Sequence, residues 1–141
     1  MFKISVCIFG DGVGEGDEAL CARLERVLAF LAETGVHEVL LPFDDALARI
    51  ALLATEKLRD RYEIVCSGAC MAHSPQCRAL KRGGVKRICI ARHSHFFFGS
   101  VAMSLIDKSS AVICAGKEES FRHVVLKECA YRAGVPVLNM C

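Results

Sequence analysis

The apolar positions change period repeatedly along the chain, and each change marks an element. Phe2 to Phe9 predicts a first strand. Asp17 to Glu33 then carries Leu20, Leu24, Val27, Leu28 and Leu31 at helical spacing, with Arg23, Glu25, Arg26 and Glu33 mostly turned away from them. Gly35 predicts the end of that helix. His37 to Phe43 predicts a second strand, and Asp44 is placed to N-cap an Ala- and Leu-rich helix that runs to about Arg59. Tyr62 to Cys66 predicts the third strand. Ala69 to Gly84, polar and broken by Pro75 and Gly83-Gly84, predicts a loop with at most a short helix, before Lys86 to Ala91 resumes as strand.

The second half repeats the alternation. Phe98 to Lys108 predicts a short helix, and Ala111 to Ala115 is a continuous apolar run suited to a buried parallel strand. Lys117 to Ala133 predicts an amphipathic helix closed by Gly134, and Val135 to Asn139 a last strand, with Pro136 near its start where a missing N–H is tolerated. Strand and helix alternating throughout predict an α/β fold: one Rossmann-like three-layer domain over 1–141, with a mainly parallel sheet of about six strands joined by right-handed crossovers.

Composition narrows the function classes. With 53% hydrophobic residues and 3 prolines in 141, a disordered or collagen-like chain is excluded. Eighteen Lys+Arg against 16 Asp+Glu leave a formal charge of +2, which provides no electrostatic footprint for nucleic acid. No apolar run approaches the roughly 18 residues of a membrane span, and the N-terminal run is too short for a signal-peptide core. The expectation is a soluble, cytoplasmic protein. Nine cysteines without an export signal read as reduced thiols, with Cys7, Cys66, Cys89, Cys114 and Cys129 falling in apolar patterns where cysteine packs as a small hydrophobe.

In folds of this class ligands bind at the carboxyl ends of the strands, which directs attention to Gly10–Gly16, Pro42–Asp45, Ser67–His73, Arg92–Ser100 and Ala115–Ser120. Gly10, Asp11 and Gly12 open a glycine-rich turn between a strand and a helix, the context of a phosphate cradle. From Gly10 and from Gly12 the dinucleotide pattern G-x-G-x-x-G does not close, ending at Glu15 and Asp17, and Asp11, Glu15, Asp17 and Glu18 would repel a phosphate. A flexible turn with an acidic helix start is the competing reading. Arg92, His93 and His95 follow the fourth strand and are suited to holding an anion, beside Phe96-Phe97-Phe98, which can stack on a ring or anchor a loop. Cys66, Cys70, His73 and Cys77 form C-x3-C-x2-H-x3-C, a set able to close on zinc or to act as a thiol sensor near Arg78, Lys81 and Arg82; core packing is the plain alternative. The phosphotyrosine-phosphatase C-x5-R, the C-x-x-C pair, the Walker loop and the G-x-S-x-G elbow are all absent.

Taken end to end, several segments resemble the SLOG superfamily, the Rossmann-like group that includes the DNA-processing protein A, lonely-guy and YpsA-like branches. The likeness rests on Phe9-Gly10, on Gly35 to Val39 leading to Phe43-Asp44, on Tyr62 to Val65, on Leu105 to Ser110 before the strand Ala111–Ala115, and on Ala130 to Val137. It implies a nucleotide-type ligand held by the loop after the penultimate strand, here Gly116-Lys117-Glu118-Glu119-Ser120, in which Gly116, Lys117 and Ser120 stand in for a glycine-rich loop. Where lonely-guy enzymes carry a catalytic glutamate, this chain has His123, so the phosphoribohydrolase machinery is not intact.

The expected function is therefore binding of a small nucleotide-derived or other anionic ligand, as a sensor or binding protein without efficient catalysis; any enzyme activity would be nucleotide-hydrolase-like. Lys117, Ser120, Arg92 and His95 are its leading residues. No tightly bound cofactor is required, and zinc on the Cys/His set is the cofactor alternative. The remaining alternative is a degenerate scaffold, paired as a homodimer through an exposed helix face such as Ala51-Leu52-Leu53-Ala54.

Overall fold

A strand buried on both faces needs apolar side chains pointing both ways, and Ile4–Asp11 (β1) supplies them: its inner residues Ser5 to Gly10 are all buried. In a computed structural model of the chain, residues 4–43, 45–71, 86–90, 102–117 and 119–140 are described, with the backbone alone at 69–71 and 86–90. The further elements are α1 (Glu18–Glu33), β2 (Val36–Leu41), α2 (Ala46–Leu58), β3 (Val65–Met71), β4 (Lys86–Ile90), a short helix over 102–107, β5 (Ala111–Gly116), α3 (Phe121–Arg132) and β6 (Val137–Asn139).

The strands form one six-stranded sheet in the order β4-β3-β2-β1-β5-β6. Every pairing is parallel. Successive strands step outward from β1 to β4, and the chain then crosses back to lay β5 on the opposite side of β1. The strand order therefore reverses between β1 and β5, where a doubly wound sheet leaves a crevice at its carboxyl edge.

Alternation along the strands sends two sets of side chains into two cores. Val6, Ile8, Val39, Leu41 and Ile113 pack under α1 and α2, which contribute Leu20, Leu24, Leu28, Leu47, Ile50 and Leu58. Cys7, Phe9, Leu40, Val112 and Cys114 face the other way, against Ala102, Leu105 and Ile106 of the short helix and Leu126 and Ala130 of α3. Each fully buried leucine or phenylalanine contributes about 1.5–3 kcal/mol of transfer free energy, so both helical layers are held mainly by this burial. The three-layer Rossmann-like α/β domain expected from the sequence is the fold observed.

Several boundaries differ from expectation, each for a local reason. The N-cap of α2 is Asp45, whose carboxylate accepts the Ala48 N–H at 3.0 Å, one residue beyond the expected Asp44. The third strand begins at Val65 instead of Tyr62, because the chain is still wrapped around the end of α2 there: the Tyr62 N–H donates to the Leu58 carbonyl at 2.9 Å. Cys66 and Cys70 consequently lie within a strand that runs on to Met71, not at a strand end. α3 starts at Phe121 instead of Lys117, since Lys117 donates its N–H to the Asp11 carbonyl at 2.7 Å and Ser120 forms the cap. The expected amphipathic character of α3 is also partial, with Phe121, Val124 and Tyr131 exposed. In the tetrad Ala51-Leu52-Leu53-Ala54, Ala51 and Ala54 are fully buried in the core and Leu53 alone is exposed, so the segment is no continuous apolar surface. Among the described residues no helix is long and apolar enough to cross a membrane.

Candidate functional site

The carboxyl ends of β1 and β5 approach one another closely because two glycines leave room. A Cβ on Gly10 would stand 1.9 Å from the Ala115 carbonyl oxygen, and one on Gly116, where φ is +96°, would stand 2.0 Å from the Asp11 carbonyl oxygen. Neither position accepts a side chain without separating the strands. The register pairs Gly10 with Ala115 and Asp11 with Gly116, so the two ligand-loop segments singled out in the sequence are brought together at the reversal point. Lys117 joins them, its stem lying across Gly12, where a Cβ would meet the lysine Cγ at 2.6 Å.

Beside this junction lies a cleft of about 90 Å³, lined by Gly10 to Val13, by Asp45, Ala46 and Leu47 at the start of α2, and by Arg122 from the first turn of α3. The start of α2 presents backbone N–H groups that have no partner within the helix. Arg122 crosses the opening. Its Nη1 makes two long contacts, 3.4 Å to Asp45 Oδ2 and 3.5 Å to the Gly10 carbonyl, while the guanidinium lies 4.1 Å from the centre of the Phe43 ring. Both charged side chains keep about a third of their surface in solvent, 39% for Arg122 and 31% for Asp45, so the pair is loosely held and reachable.

The charges in the cleft are mixed. Burial pushes the Asp45 carboxyl above its ordinary range and the negative charge of Asp11 adds to this, against the opposing pull of the Ala48 N–H, Arg122 and Arg49. Asp11 turns Oδ1 back to accept the Gly12 N–H at 2.9 Å. Outside the cleft, Glu15 is ion-paired with Arg49, whose hydrogen bond holds the glutamate below the usual carboxylate range and ties the β1–α1 turn to α2.

Of the residues proposed from sequence, Gly10, Asp11 and Gly12 line the cleft, and Gly116 and Lys117 adjoin it. Ser120 has another duty: its Oγ accepts the His123 N–H at 3.1 Å and caps α3. Arg92, His93 and His95 lie outside the described residues, as do His73 and Cys77. Cys66 is buried in the core, with its Sγ 3.3 Å from Thr55 Oγ1, and burial pushes its thiol up. Cys70 sits on β3 opposite Cys89. No group of three or more metal-ligating side chains occurs among the described residues.

Arg122 was missed by motif reading, and Phe43, inside the Pro42–Asp45 segment, was given no ligand role; for Arg122 one signal was present. A cation in the first turn of a helix opposes the helix dipole, and Arg122 directly follows Phe121 in that turn. A residue placed against local preference invites a search for what it does there. His123 is wholly buried with its ring edge-on to Phe9, 6.2 Å between centres.

A parallel sheet with reversed strand order defines a Rossmann-like α/β domain, and the polar cleft lies at the reversal, where that class of fold generally takes its ligands. The chain's architecture is similar to the X-ray structure of TM1055, a structural-genomics target, at a TM-score of 0.61 and 15% identity, over 95% of this chain and 72% of the other. Likeness at that identity establishes the fold alone. A homoserine dehydrogenase from S. aureus aligns with 99% of this chain and 33% of its own, at 13% identity and a TM-score of 0.33, and carries no argument. No family model matches the chain, and no curated protein matches it in sequence.

Proposed function

We propose that this protein binds a small nucleotide-derived or other anionic ligand in the cleft between β1, α2 and α3, as a divergent SLOG-like binding or sensing protein without efficient catalysis. The observation that carries the reading is Arg122: a guanidinium at the strand-reversal crevice, resting on Phe43 and held by contacts of 3.4 and 3.5 Å that a better acceptor can replace. Gly10 and Gly116 support it by letting the backbone form the floor of the cleft, and the N–H groups of Ala46 and Leu47 add donors at the start of α2. The absence of an acid at His123, where the resemblance would put the catalytic glutamate, supports binding over hydrolysis.

Native mass spectrometry of the protein, alone and with adenosine 5′-monophosphate or inorganic phosphate added, tests the reading. The expected result is a one-to-one complex with at least one of the two anions, weakened at least tenfold in Arg122→Met, consistent with about 1.5–3 kcal/mol for a charged hydrogen bond. Equal affinity in wild type and Arg122→Met, or no complex with either anion at millimolar concentration, would overturn it.

A further inference from the structure

Charge and size in the same cleft narrow the ligand class further. An engineered cavity of about 150 Å³ holds a benzene ring; the 90 Å³ here admits a single small head group, with anything larger extending beyond the cleft. The charged side chains lining it are two carboxylates, Asp11 and Asp45, and one guanidinium, Arg122. A bare anion at Arg122 would sit beside those two carboxylates.

The hydrogen-bonding capacity is equally two-sided. Among the described residues only Nη1 of Arg122 makes hydrogen bonds, so Nε and Nη2 remain available as donors. Asp11 and Asp45 each use Oδ1 on a backbone N–H. The second oxygen of Asp45 has only its 3.4 Å contact with Arg122, and that of Asp11 has no hydrogen bond among the described residues. A complementary ligand therefore presents acceptors to the guanidinium and donors to the carboxylates within a few ångströms. We infer that the head group is zwitterionic, an ammonium adjacent to a carboxylate as in a free α-amino acid, with the carboxylate at Arg122 and the ammonium between Asp11 and Asp45. This rests on the reading of Arg122 as the anion-binding residue, and adds that the neighbouring acids select a cation next to that anion.

An isosteric series tests it on the wild-type protein without relying on a variant that folds. L-Alanine, L-lactate and propionate carry ammonium, hydroxyl and hydrogen at the same carbon, and each is titrated by ligand-observed NMR. Alanine is expected to bind at least tenfold more tightly than either analogue. Asp11→Asn should weaken alanine at least fivefold and leave propionate unweakened, with an unchanged far-UV spectrum confirming the fold. Lactate or propionate binding as tightly as alanine, or alanine affinity unmoved by Asp11→Asn, would refute the zwitterion. Parallel titrations of phosphate and adenosine 5′-monophosphate separate the two claims: if those anions bind through Arg122 and alanine does not, the zwitterion alone fails, and if nothing binds, both fail.

Discussion

Replacing Gly10 with alanine tests the idea that close backbone approach, and not turn flexibility, explains the glycines at the strand reversal. The new methyl would lie 1.9 Å from the Ala115 carbonyl oxygen, more than 1 Å inside the 3.0 Å that real Cβ contacts respect, and 3.0 Å from Leu47 Cδ2 on the other side. Backbone cannot rotate out of the way as a side chain can, so β5 must move off β1. That movement loosens the 2.7 Å bond from the Lys117 N–H to the Asp11 carbonyl and adjacent ladder bonds, at about 1 kcal/mol each, on top of an overpacking cost of about 1–3 kcal/mol. The expected loss is about 3 kcal/mol, which for a chain of 141 residues lowers Tm by roughly 10–15 °C. Gly14 is the control, because a Cβ there meets nothing within 4 Å and its φ is not in the left-handed region. Gly14→Ala should leave stability unchanged or raise it by about 0.4–1 kcal/mol through the unfolded state. Urea and thermal denaturation followed by circular dichroism measure both. A Gly10→Ala protein within about 0.5 kcal/mol of wild type, or a Gly14→Ala protein equally damaged, would refute the close-approach argument.

Other consequences follow from single contacts. Asp45→Ala removes the α2 cap and should cost about 1 kcal/mol in urea denaturation, whereas Asp45→Asn keeps an acceptor for the Ala48 N–H and should cost less than half of that. Because burial raises the Asp45 carboxyl above its unfolded value of roughly 4, the folded state holds that proton more tightly. Its contribution to stability is therefore present when the group is protonated and lost as pH rises through the folded value; Asp45→Asn should flatten the fall of the urea midpoint as pH rises above the unfolded value, and an unchanged profile would remove the claim. Cys7, Cys66 and Cys114 are buried, and burial raises the thiols of Cys7 and Cys66, so alkylation mapped by mass spectrometry should leave all three unlabelled until the protein unfolds. Leu126→Ala, at a position 4% exposed, should cost about 2–5 kcal/mol, while Phe121→Ala on the same helix, at 84% exposed, should stay within about 0.5 kcal/mol of wild type.

The class of fold is legible along the chain, because that information is local and periodic. Runs such as Val6–Phe9 and Val112–Ala115 suit a sheet covered on both faces, and Leu20, Leu24 and Leu28 a helix laid on one. The sequence also pointed to Gly10, Asp11, Gly12, Gly116 and Lys117, since carboxyl ends of strands can be counted along the chain. What it left undecided depends on residues far apart in sequence. Choosing Asp45 over Asp44 as the cap required the direction in which α2 leaves β2. Placing Cys66 in the core, within hydrogen-bonding reach of Thr55, required the registry of β3 against β2, which puts Cys66 and Cys70 of the C-x3-C-x2-H-x3-C set on a strand. Pairing Arg122 with Gly10 and Asp45 spans separations of 112 and 77 residues. No periodicity carries such a contact; it exists only because crossover connections bring β1, α2 and α3 to one edge of the sheet.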